Sequence, residues 1–377
     1  MNKIKILYLC STLKNSGPTN QLFNIITNLN SDKFECIVIT LSPESNNSLI
    51  HKFKNKKITV ISLELSRIKG IFFLRRKLLK QLKVFIPDII HSQGVRADSL
   101  SSSLLGSFVK ISTLRNFPQL DYRMTYGKIL GALLTKNHIS SLNKIDFCVG
   151  VSKAVTKNLN ENFLFKNTIS IQNGVDDTTY YPLSFENKVE MRNKLNIPKN
   201  AIVWVTTGHL SERKNPINII NSFTNFLKMN DKHYLVFIGN GNLLNECKRL
   251  SNGMNIIFTK KIDNVHEYLK ISDYYVSSSK AEGLPNAVLE AMACSLPVLL
   301  SNIEPHNEFF NVNLNIGYKF NVDSEFSNEI NLMINSDYKL QSKSCLDVIN
   351  KNFSASIMSK KYQDLYIELL EKDKSNV

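Results

Sequence analysis

Residues 280–297 read K-A-E-G-L-P-N-A-V-L-E-A-M-A-C-S-L-P, with Glu282 and Glu290 on either side of a Gly-Leu-Pro break. Pro285 suits the first position of a helix, where its missing N–H has no intrahelical partner to lose. The segment A-V-L-E-A-M-A that follows is strongly helix-forming. The pattern therefore predicts Glu282 in a loop and Glu290 on the second turn of a helix. The free N–H groups expected at residues 285–287 would form an anion site.

This arrangement of a loop carboxylate, a helix start and a second carboxylate suits a sugar joined to a nucleotide diphosphate. The alternative is a capped core helix that carries two unrelated acids. The stretch alone leaves both interpretations open.

Length and composition favour a globular chain of two domains. A chain of 377 residues exceeds one ordinary core. There is no run of about eighteen apolar residues, so no transmembrane helix is expected. The N-terminus, M-N-K-I-K-I-L-Y-L-C-S, lacks a small-residue cleavage site and is predicted to be a strand instead of a signal peptide. The six cysteines form no C-x-x-C pair, which argues against a zinc site and favours the cytosol.

The net charge of +15 is concentrated in the first half of the chain. Residues 1–180 hold 25 Lys and Arg against 11 Asp and Glu, whereas residues 181–377 hold 22 against 21. This asymmetry indicates a polyanionic partner for the first half, namely nucleic acid, an anionic membrane surface or a phosphorylated substrate. Residues 67–85 carry seven Lys and Arg and no acid, with apolar residues at helical spacing. They predict a basic amphipathic helix that lies on an anionic membrane or covers a sheet with its basic face solvated.

Alternating apolar runs and helical patterns predict an α/β fold in both halves. Strands are predicted at 3–10, 35–41, 58–63, 87–92 and 147–151, and then at 201–208, 235–239, 256–258, 274–277 and 297–300. Helices are predicted at 20–29, 67–85, from 152, at 215–227 and at 355–370, with a further basic and aromatic helical segment within 110–136. The continuous apolar character of the strands indicates parallel sheets covered on both faces.

The turn N-G-V-D at residues 173–176 marks the predicted domain boundary. The domains are expected at 1–175 and 176–354, with a terminal helix at 355–377 that crosses back to the first domain. Ligands of open α/β sheets bind beyond the carboxyl ends of strands. Gln93, which follows the predicted strand P-D-I-I-H-S, is therefore a candidate site residue, and a plain polar turn is the alternative.

Three motifs of the second half occur in a fixed order: G-H-L-S-E-R-K-N-P from residue 208, F-I-G-N-G-N from 237 and E-G-L-P-N-A-V-L-E-A-M-A from 282. This set resembles the donor half of GT-B glycosyltransferases, specifically the retaining family 4 type. The first half resembles the family more loosely, through G-P-T-N, P-D-I-I-H-S-Q-G, V-S-K-A-V and N-G-V-D. The resemblance covers nearly the whole chain and implies two Rossmann-like, doubly wound lobes with a cleft between them.

The resemblance also implies a role for each motif residue. Arg213 and Lys214 match the basic pair that holds the donor diphosphate, where both cations can stabilise the charge of the leaving group. An exposed pair in a loop is the alternative. Glu290 matches the carboxylate that binds the ribose hydroxyls, and Glu282 matches the one that faces the transferred sugar. The other donor-binding residues implied in this way are Gly17, Gly208, Gly241, Ile262, Gly283, Leu284, Pro285 and Asn286.

Gln93 departs from the family pattern and is the fourth residue assigned to catalysis, with Glu282, Arg213 and Lys214. Relatives often read H-x-H-G at this strand end, whereas this chain reads His91-Ser92-Gln93-Gly94. Glutamine can donate and accept hydrogen bonds but cannot act as a base near pH 7. In the front-face mechanism that the resemblance implies, the leaving phosphate takes the proton of the acceptor. Gln93 would then orient the donor sugar or the acceptor.

No D-x-D triplet occurs, so activity is expected without a metal ion or other cofactor. The resemblance implies transfer of a hexose or N-acetylhexosamine from a nucleotide diphosphate sugar, with UDP favoured over GDP. The acceptor would be a glycan or a polyprenyl-diphosphate-linked glycan of surface polysaccharide synthesis. The protein would be cytoplasmic, peripheral on the inner face of the cell membrane, and would not bind nucleic acid.

Two alternatives remain at this stage. One is a UDP-sugar epimerase, because epimerases use the same two-lobe fold. The other is a non-catalytic basic protein that binds nucleic acid, although no recognised nucleic-acid module is visible.

Overall fold

The computed structural model describes residues 3–106, 108–259 and 262–375, and the chain divides into two units. Unit 1 consists of the residues up to Gly174 together with the helix that begins at Ala355. Unit 2 runs from Val175 to Ser354.

Unit 1 alternates strands and helices. Its strands are β1 (Ile4–Cys10), β2 (Phe34–Thr40), β3 (Thr59–Ser62), β4 (Ile89–Gln93), β5 (Val109–Leu114), β6 (Phe147–Gly150) and β7 (Thr168–Ser170). Its first helices are α1 (Gly17–Thr27), α2 (Ile50–Asn55), α3 (Arg67–Val84), α4 (Val95–Ser102), α5 (Pro118–Tyr126), α6 (Lys128–Leu142) and α7 (Lys153–Phe163).

Unit 2 repeats the alternation. Its strands are β8 (Ile202–Thr207), β9 (His233–Ile238), β10 (Ile256–Phe258), β11 (Tyr274–Ser277), β12 (Val298–Ser301) and β13 (Gly317–Phe320). Its helices are α8 (Phe185–Lys194), α9 (Pro216–Met229), α10 (Leu244–Leu250), α11 (Val265–Ile271), α12 (Asn286–Ala293), α13 (Glu304–Phe310), α14 (Ser327–Ile334) and α15 (Tyr338–Val348). A 3₁₀ turn lies at Leu314–Ile316 and a π-helical turn at Ile349–Phe353, after which α16 (Ala355–Ser375) returns to unit 1.

Each unit is built on one parallel sheet. Within the described residues, the strand order is β3-β2-β1-β4-β5-β6-β7 in unit 1 and β10-β9-β8-β11-β12-β13 in unit 2. Both faces of β1 are buried: Ile6 and Tyr8 pack into one core, and Leu7 and Leu9 pack into the other. This burial on both sides explains why the strand reads as a continuous apolar run.

The terminal helix α16 belongs to the core of unit 1. Tyr362 and Tyr366 are fully buried in the cluster that also holds Tyr8. The hydroxyls of Tyr8 and Tyr366 lie 3.1 Å apart, and the Ser359 hydroxyl donates to the Ile25 carbonyl. The amphipathic pattern predicted for 355–370 therefore serves to bury one face of this helix against α1 and the sheet.

Strand β5 was not predicted, because residues 110–136 were assigned to a helical segment. The segment V-K-I-S-T-L carries polar residues that interrupt the apolar run. Ser112 and Thr113 are nevertheless fully buried, since their hydroxyls bond to Asp98 and to His91 inside unit 1. The polar residues weaken the apolar signal of this strand. The rest of the predicted helical segment is helical from residue 118, in α5 and α6.

Three predicted site residues lie elsewhere in their elements than the sequence indicated. Gly17 was predicted ahead of the helix at 20–29 but is the first residue of α1, because Pro18 is favourable at a helix start. Gln93 was predicted after the strand but is the last residue of β4, in register with Cys10 of β1. Pro285 was predicted as the first helical residue but is the N-cap of α12, which begins one residue later.

No helix within the described part of the chain is long and apolar enough to cross a membrane.

Candidate functional site

Two loops of unit 2 meet at the carboxyl ends of neighbouring strands β8 and β11. The loop after β8 carries Arg213 and Lys214, and the loop after β11 leads to α12. The Ser278 hydroxyl donates to the carbonyls of Lys214 and Asn215, at 3.1 and 2.6 Å. The Lys280 N–H donates to the Arg213 carbonyl at 2.8 Å. These bonds hold together two motifs that lie about seventy residues apart in the sequence.

Glu282 pairs with both cations of the first loop. Its Oε2 lies 3.0 Å from Arg213 Nη1, and its Oε1 lies 2.5 Å from Lys214 Nζ. Arg213 Nη1 also donates to the Ala281 carbonyl at 2.9 Å. Burial would raise the pKa of Glu282, but the charges of Lys214 and Arg213 outweigh it and hold the pKa at about 2. Glu282 is therefore an ionised carboxylate that holds two cations in place. Together with Arg213 and Lys214 it forms a group with a net positive charge.

Glu290 lies on the second turn of α12, as predicted. Burial raises its pKa to about 7, although a hydrogen bond from Tyr180 and the charge of Lys214 act in the opposite direction. The first turn of α12 contains no acidic residue, so the positive end of the helix dipole is not neutralised there. The two glutamates of the stretch therefore have pKa values that differ widely.

Tyr180 is a site residue that the sequence did not indicate. Its hydroxyl bonds to the Glu290 carboxylate, and burial raises its own pKa. It belongs to the segment that opens unit 2, about 110 residues before Glu290. The only available signal was the aromatic pair Tyr180-Tyr181, which begins four residues after the N-G-V-D turn. The Tyr181 ring lies under Lys270, with Nζ 3.4 Å from the ring centroid.

Three glycines allow the loops of unit 2 to approach one another. Gly208 has a φ of 140° and Gly239 a φ of 148°, and residues that carry a side chain rarely adopt such values. A Cβ on Gly239 would lie 1.9 Å from the Gly208 carbonyl oxygen, and one on Gly241 would lie 2.1 Å from the Leu210 oxygen. The motif F-I-G-N-G-N is thus required for the close approach of the turn after β9 to the loop that carries Lys214.

The remaining predicted donor residues lie in or near these loops. Gly283, Leu284 and Pro285 are buried in the segment before α12, and Asn286 begins that helix. Ile262 is partly buried in the loop that precedes α11. The structure brings Glu282 together with Arg213 and Lys214, and it places Gly17 and Gln93 in unit 1.

In unit 1, Gln93 lies beside a buried polar network. Its Oε1 accepts a hydrogen bond from Arg115 Nη2 at 3.0 Å. His91 has both ring nitrogens 2.7 Å from hydroxyls, those of Tyr366 and Thr113. Burial and the charge of Arg115 lower the pKa of His91 to about 3, so it is neutral near pH 7. Neither position therefore offers a base with a pKa near 7.

A second network of unit 1 was missed by sequence reasoning. Asp98 is fully buried, and its Oδ2 lies 2.8 Å from His138 Nε2. Its Oδ1 accepts from Ser92 and Ser112, at 2.6 and 2.8 Å. His138 Nδ1 lies 2.8 Å from the Tyr122 hydroxyl. The partners come from four different elements, so no local sequence motif indicates this network.

Across residues 3–106, 108–259 and 262–375, no group of three or more His, Cys, Asp or Glu side chains is arranged to hold a metal ion.

Comparison with solved structures matches the whole architecture. The chain superposes on Anabaena HepE in complex with UDP with a TM-score of 0.81, at 16% identity, covering 97% of this chain and 100% of HepE. The fold is GT-B. It consists of two Rossmann-like parallel sheets flanked by helices, as the resemblance implied.

Sequence comparison agrees with this fold. Residues 187–351 match the family model described as glycosyl transferases group 1, and this segment contains Arg213, Lys214 and both glutamates. The chain is 27% identical to the O-antigen biosynthesis glycosyltransferase WclY of Escherichia coli, over 97% of this chain and 99% of WclY. It is 29% identical to the UDP-Gal:alpha-D-GlcNAc-diphosphoundecaprenol alpha-1,3-galactosyltransferase of Escherichia coli, over 53% of this chain and 54% of that enzyme. Together the matches support a GT-B glycosyltransferase.

Proposed function

We propose that the chain is a retaining glycosyltransferase of family 4. It transfers a hexose or N-acetylhexosamine from a nucleotide diphosphate sugar to a glycan or a polyprenyl-diphosphate-linked acceptor in surface polysaccharide synthesis. The similarity to an O-antigen glycosyltransferase and to a galactosyltransferase named for a diphosphoundecaprenol acceptor supports this class of reaction. The UDP complex of HepE, which has the same fold, supports UDP over GDP as the nucleotide.

The observation that carries the proposal is the group formed by Arg213, Lys214 and Glu282 in front of α12. Two cations share one carboxylate, so a net positive charge remains for an anionic ligand. The start of α12 adds the positive end of a helix dipole beside the same loops. A diphosphate suits this arrangement, because its charge grows as it leaves the sugar and both cations can stabilise that growth.

The two glutamates then hold opposite ends of the donor. Glu282, ionised and fixed by its cations, accepts hydrogen bonds from hydroxyls of the transferred sugar. Glu290 accepts from the ribose hydroxyls, and Tyr180 orients its carboxylate. With a pKa of about 2, Glu282 has no proton to donate near pH 7, so we assign it to binding and not to acid catalysis.

The reaction breaks the bond between the anomeric carbon and the diphosphate oxygen. The acceptor hydroxyl oxygen attacks the same face of that carbon, and its proton passes to an oxygen of the leaving diphosphate. Retention of configuration follows, because bond formation and bond cleavage occur on one face. Gln93 orients a substrate through its amide and takes no proton, and Gly17 at the start of α1 is assigned to binding the donor phosphates. No step uses a metal ion, and turnover is expected to persist in chelator.

The proposed location is the inner face of the cell membrane, contacted through α3. Ile68, Ile71 and Phe72 are between 73 and 79% exposed on this helix. The lysines and arginines of α3 surround them and are also exposed. An exposed apolar row flanked by cations fits a bilayer of anionic lipid, in which the row is buried and the cations contact headgroups.

Vesicle co-sedimentation tests this location. The wild type should bind vesicles that contain phosphatidylglycerol and not vesicles of phosphatidylcholine alone. Ile71→Ser combined with Phe72→Ser should weaken that binding, whereas Phe185→Ser, a change at an equally exposed position of α8, should not. Equal binding of all three proteins would show that α3 does not contact the membrane.

A thermal-shift screen of UDP, GDP and their sugars tests the donor. A ligand that binds only the folded state raises the melting temperature. UDP and one UDP-sugar should raise it, and Arg213→Ala should abolish the shift. The epimerase alternative is separated by incubating the free UDP-sugar without acceptor, because only an epimerase would convert it to the epimer.

A further inference from the structure

A cavity of about 310 Å³ lies at the carboxyl edge of the unit 1 sheet. Its walls come from the segments that follow β1, β4 and β5, which are adjacent strands. The strand order of the sheet reverses between β1 and β4, and ligands of open α/β sheets bind at such a point. Polar side chains that line the cavity include those of Ser11, Thr19, Gln93, Asp98, Arg115 and Tyr122.

Arg115 is the cation of this cavity, and it has no anionic partner among the residues that the structure describes. Its Nη1 donates to Asn173 Oδ1 at 2.9 Å and its Nη2 donates to Gln93 Oε1 at 3.0 Å. Its Nε is buried and has no acceptor in the described part of the chain. Both acceptors are neutral amides, and no carboxylate in the described ranges forms an ion pair with Arg115. Burial lowers the pKa of the guanidinium, but an arginine keeps its charge in a protein.

The two acids that line the cavity do not compensate this charge. Asp98 is fully engaged, because its oxygens already accept from Ser92, Ser112 and His138. Asp121 lies on α5, only partly buried. A partly buried cation with a buried, unused donor is unfavourable unless an anion approaches it.

The other donors on the cavity wall suit the same anion. Because Oε1 of Gln93 accepts from Arg115, its amide nitrogen is the end that remains for a ligand, and that nitrogen can only donate. The amino-terminal end of α1 also borders the cavity, through Ser16 and Thr19. No acidic residue lies in the first turn of α1, so its dipole adds positive potential.

We propose that this cavity binds a phosphate group, with the Arg115 guanidinium and the Gln93 amide nitrogen as its donors. A guanidinium can offer two parallel N–H groups to two phosphate oxygens, which a neutral ligand cannot use as well. The inference rests on the proposed function only for the source of the phosphate. In that reaction the phosphate belongs either to a polyprenyl-diphosphate acceptor or to the nucleotide diphosphate donor.

Three probes distinguish these sources: inorganic phosphate, farnesyl diphosphate as a short prenyl diphosphate, and UDP. Calorimetric titration would compare the wild type with Arg115→Gln. The matched control is Arg123→Gln, which removes the same charge from an exposed position of α5. Arg115→Gln should bind inorganic phosphate, and either farnesyl diphosphate or UDP, about 10- to 100-fold more weakly. Arg123→Gln should bind all three probes like the wild type.

The response to UDP identifies the source. Unchanged UDP binding by Arg115→Gln, with loss of farnesyl diphosphate, assigns the phosphate to the acceptor, and the reverse pattern assigns it to the donor. Arg213→Gln is expected to lose UDP binding and to keep farnesyl diphosphate binding. If it keeps UDP binding, the donor proposal in unit 2 fails, and this failure is distinct from that of the phosphate site in unit 1. Wild-type affinity of Arg115→Gln for all three probes would overturn the inference.

A second variant keeps the inference testable if Arg115→Gln does not fold. Gln93→Glu places a carboxylate 3 Å from the guanidinium and supplies the missing partner from within the chain. This variant should raise the melting temperature of the free protein and weaken farnesyl diphosphate or UDP binding by a similar factor. Phosphate binding at wild-type affinity in Gln93→Glu would contradict a role for Arg115 in holding an anion.

Discussion

The two units use arginine in opposite ways. Arg213 of unit 2 contacts an ionised carboxylate, Glu282, which also holds Lys214. Arg115 of unit 1 donates hydrogen bonds to the amide oxygens of Gln93 and Asn173. A carboxylate partner fixes a cation and compensates part of its charge, whereas an amide fixes it and leaves the full charge. The first arrangement suits groups that must be rigid, and the second suits a cation that binds an anionic ligand.

Lys214→Ala should produce the largest effect on the unit 2 side of this comparison. It removes a cation that we assign to the leaving diphosphate, and the loss of one such contact typically lowers turnover by about 10²- to 10³-fold. Release of UDP from the donor in the presence of a lipid-linked acceptor measures it. Lys280→Ala is the control, because Lys280 pairs with Asp323 near the surface and lies in the neighbouring loop, after β11. Equal turnover of both variants would refute the role of Lys214.

Glu282→Gln should cause the next largest effect, on stability. It leaves two partly buried cations without their carboxylate and is expected to lower the free energy of unfolding by about 3 kcal/mol. The pKa of about 2 lies below the ordinary value of 4.5, so this carboxylate stabilises the fold above that value. That contribution is lost as the pH falls towards 2. Urea unfolding at pH 7 and at pH 3 would show a smaller gap between wild type and variant at the lower pH.

Much of the fold follows from the sequence, because most strands are apolar on both faces. The strands at 256–258 and 274–277 match their predicted bounds, and β1 differs from its prediction by one residue. β5 was missed because its buried Ser112 and Thr113 hide the apolar pattern. Short strands such as β7 and β13 were also missed, because they have too few residues to show a pattern of apolar residues.

The site was predictable only where its residues lie in motifs. Glu282, Glu290, Arg213 and Lys214 stand in recognisable segments, but the ion pairs between them depend on how the two loops meet. Tyr180 could not be paired with Glu290 from the sequence, since about 110 residues separate them. The roles assigned to all these residues stay predictions until substrates are tested.

The ionisation of Glu290 should change nucleotide affinity near neutral pH. Burial raises its pKa to about 7, so the carboxylate is mostly protonated at pH 6 and mostly ionised at pH 8. Because an ionised carboxylate is the better acceptor for ribose hydroxyls, UDP affinity should rise about tenfold over that range. Glu290→Gln should lack this rise in UDP affinity, apart from any part that comes from ionisation of UDP itself.

The same group has the opposite effect on the free protein. A carboxyl group whose pKa is raised on folding stabilises the fold below its ordinary pKa of 4.5, and this stabilisation is lost as the pH rises to about 7. The melting temperature of ligand-free Glu290→Gln should therefore fall less than that of the wild type between pH 4.5 and pH 7. Parallel curves would show that Glu290 does not titrate in this range.

Gln93→Leu should have the smallest effect and is the counterpart of Glu282→Gln. It removes a neutral acceptor from Arg115, so the free energy of unfolding should fall by about 1 kcal/mol. The reason for the small loss is that the guanidinium never had a compensating charge and still borders a cavity that admits water. Urea unfolding of both variants at one pH measures the difference. A loss as large as that of Glu282→Gln would mean that Gln93 is as essential to Arg115 as a carboxylate is to Arg213, and the contrast between the two units would disappear.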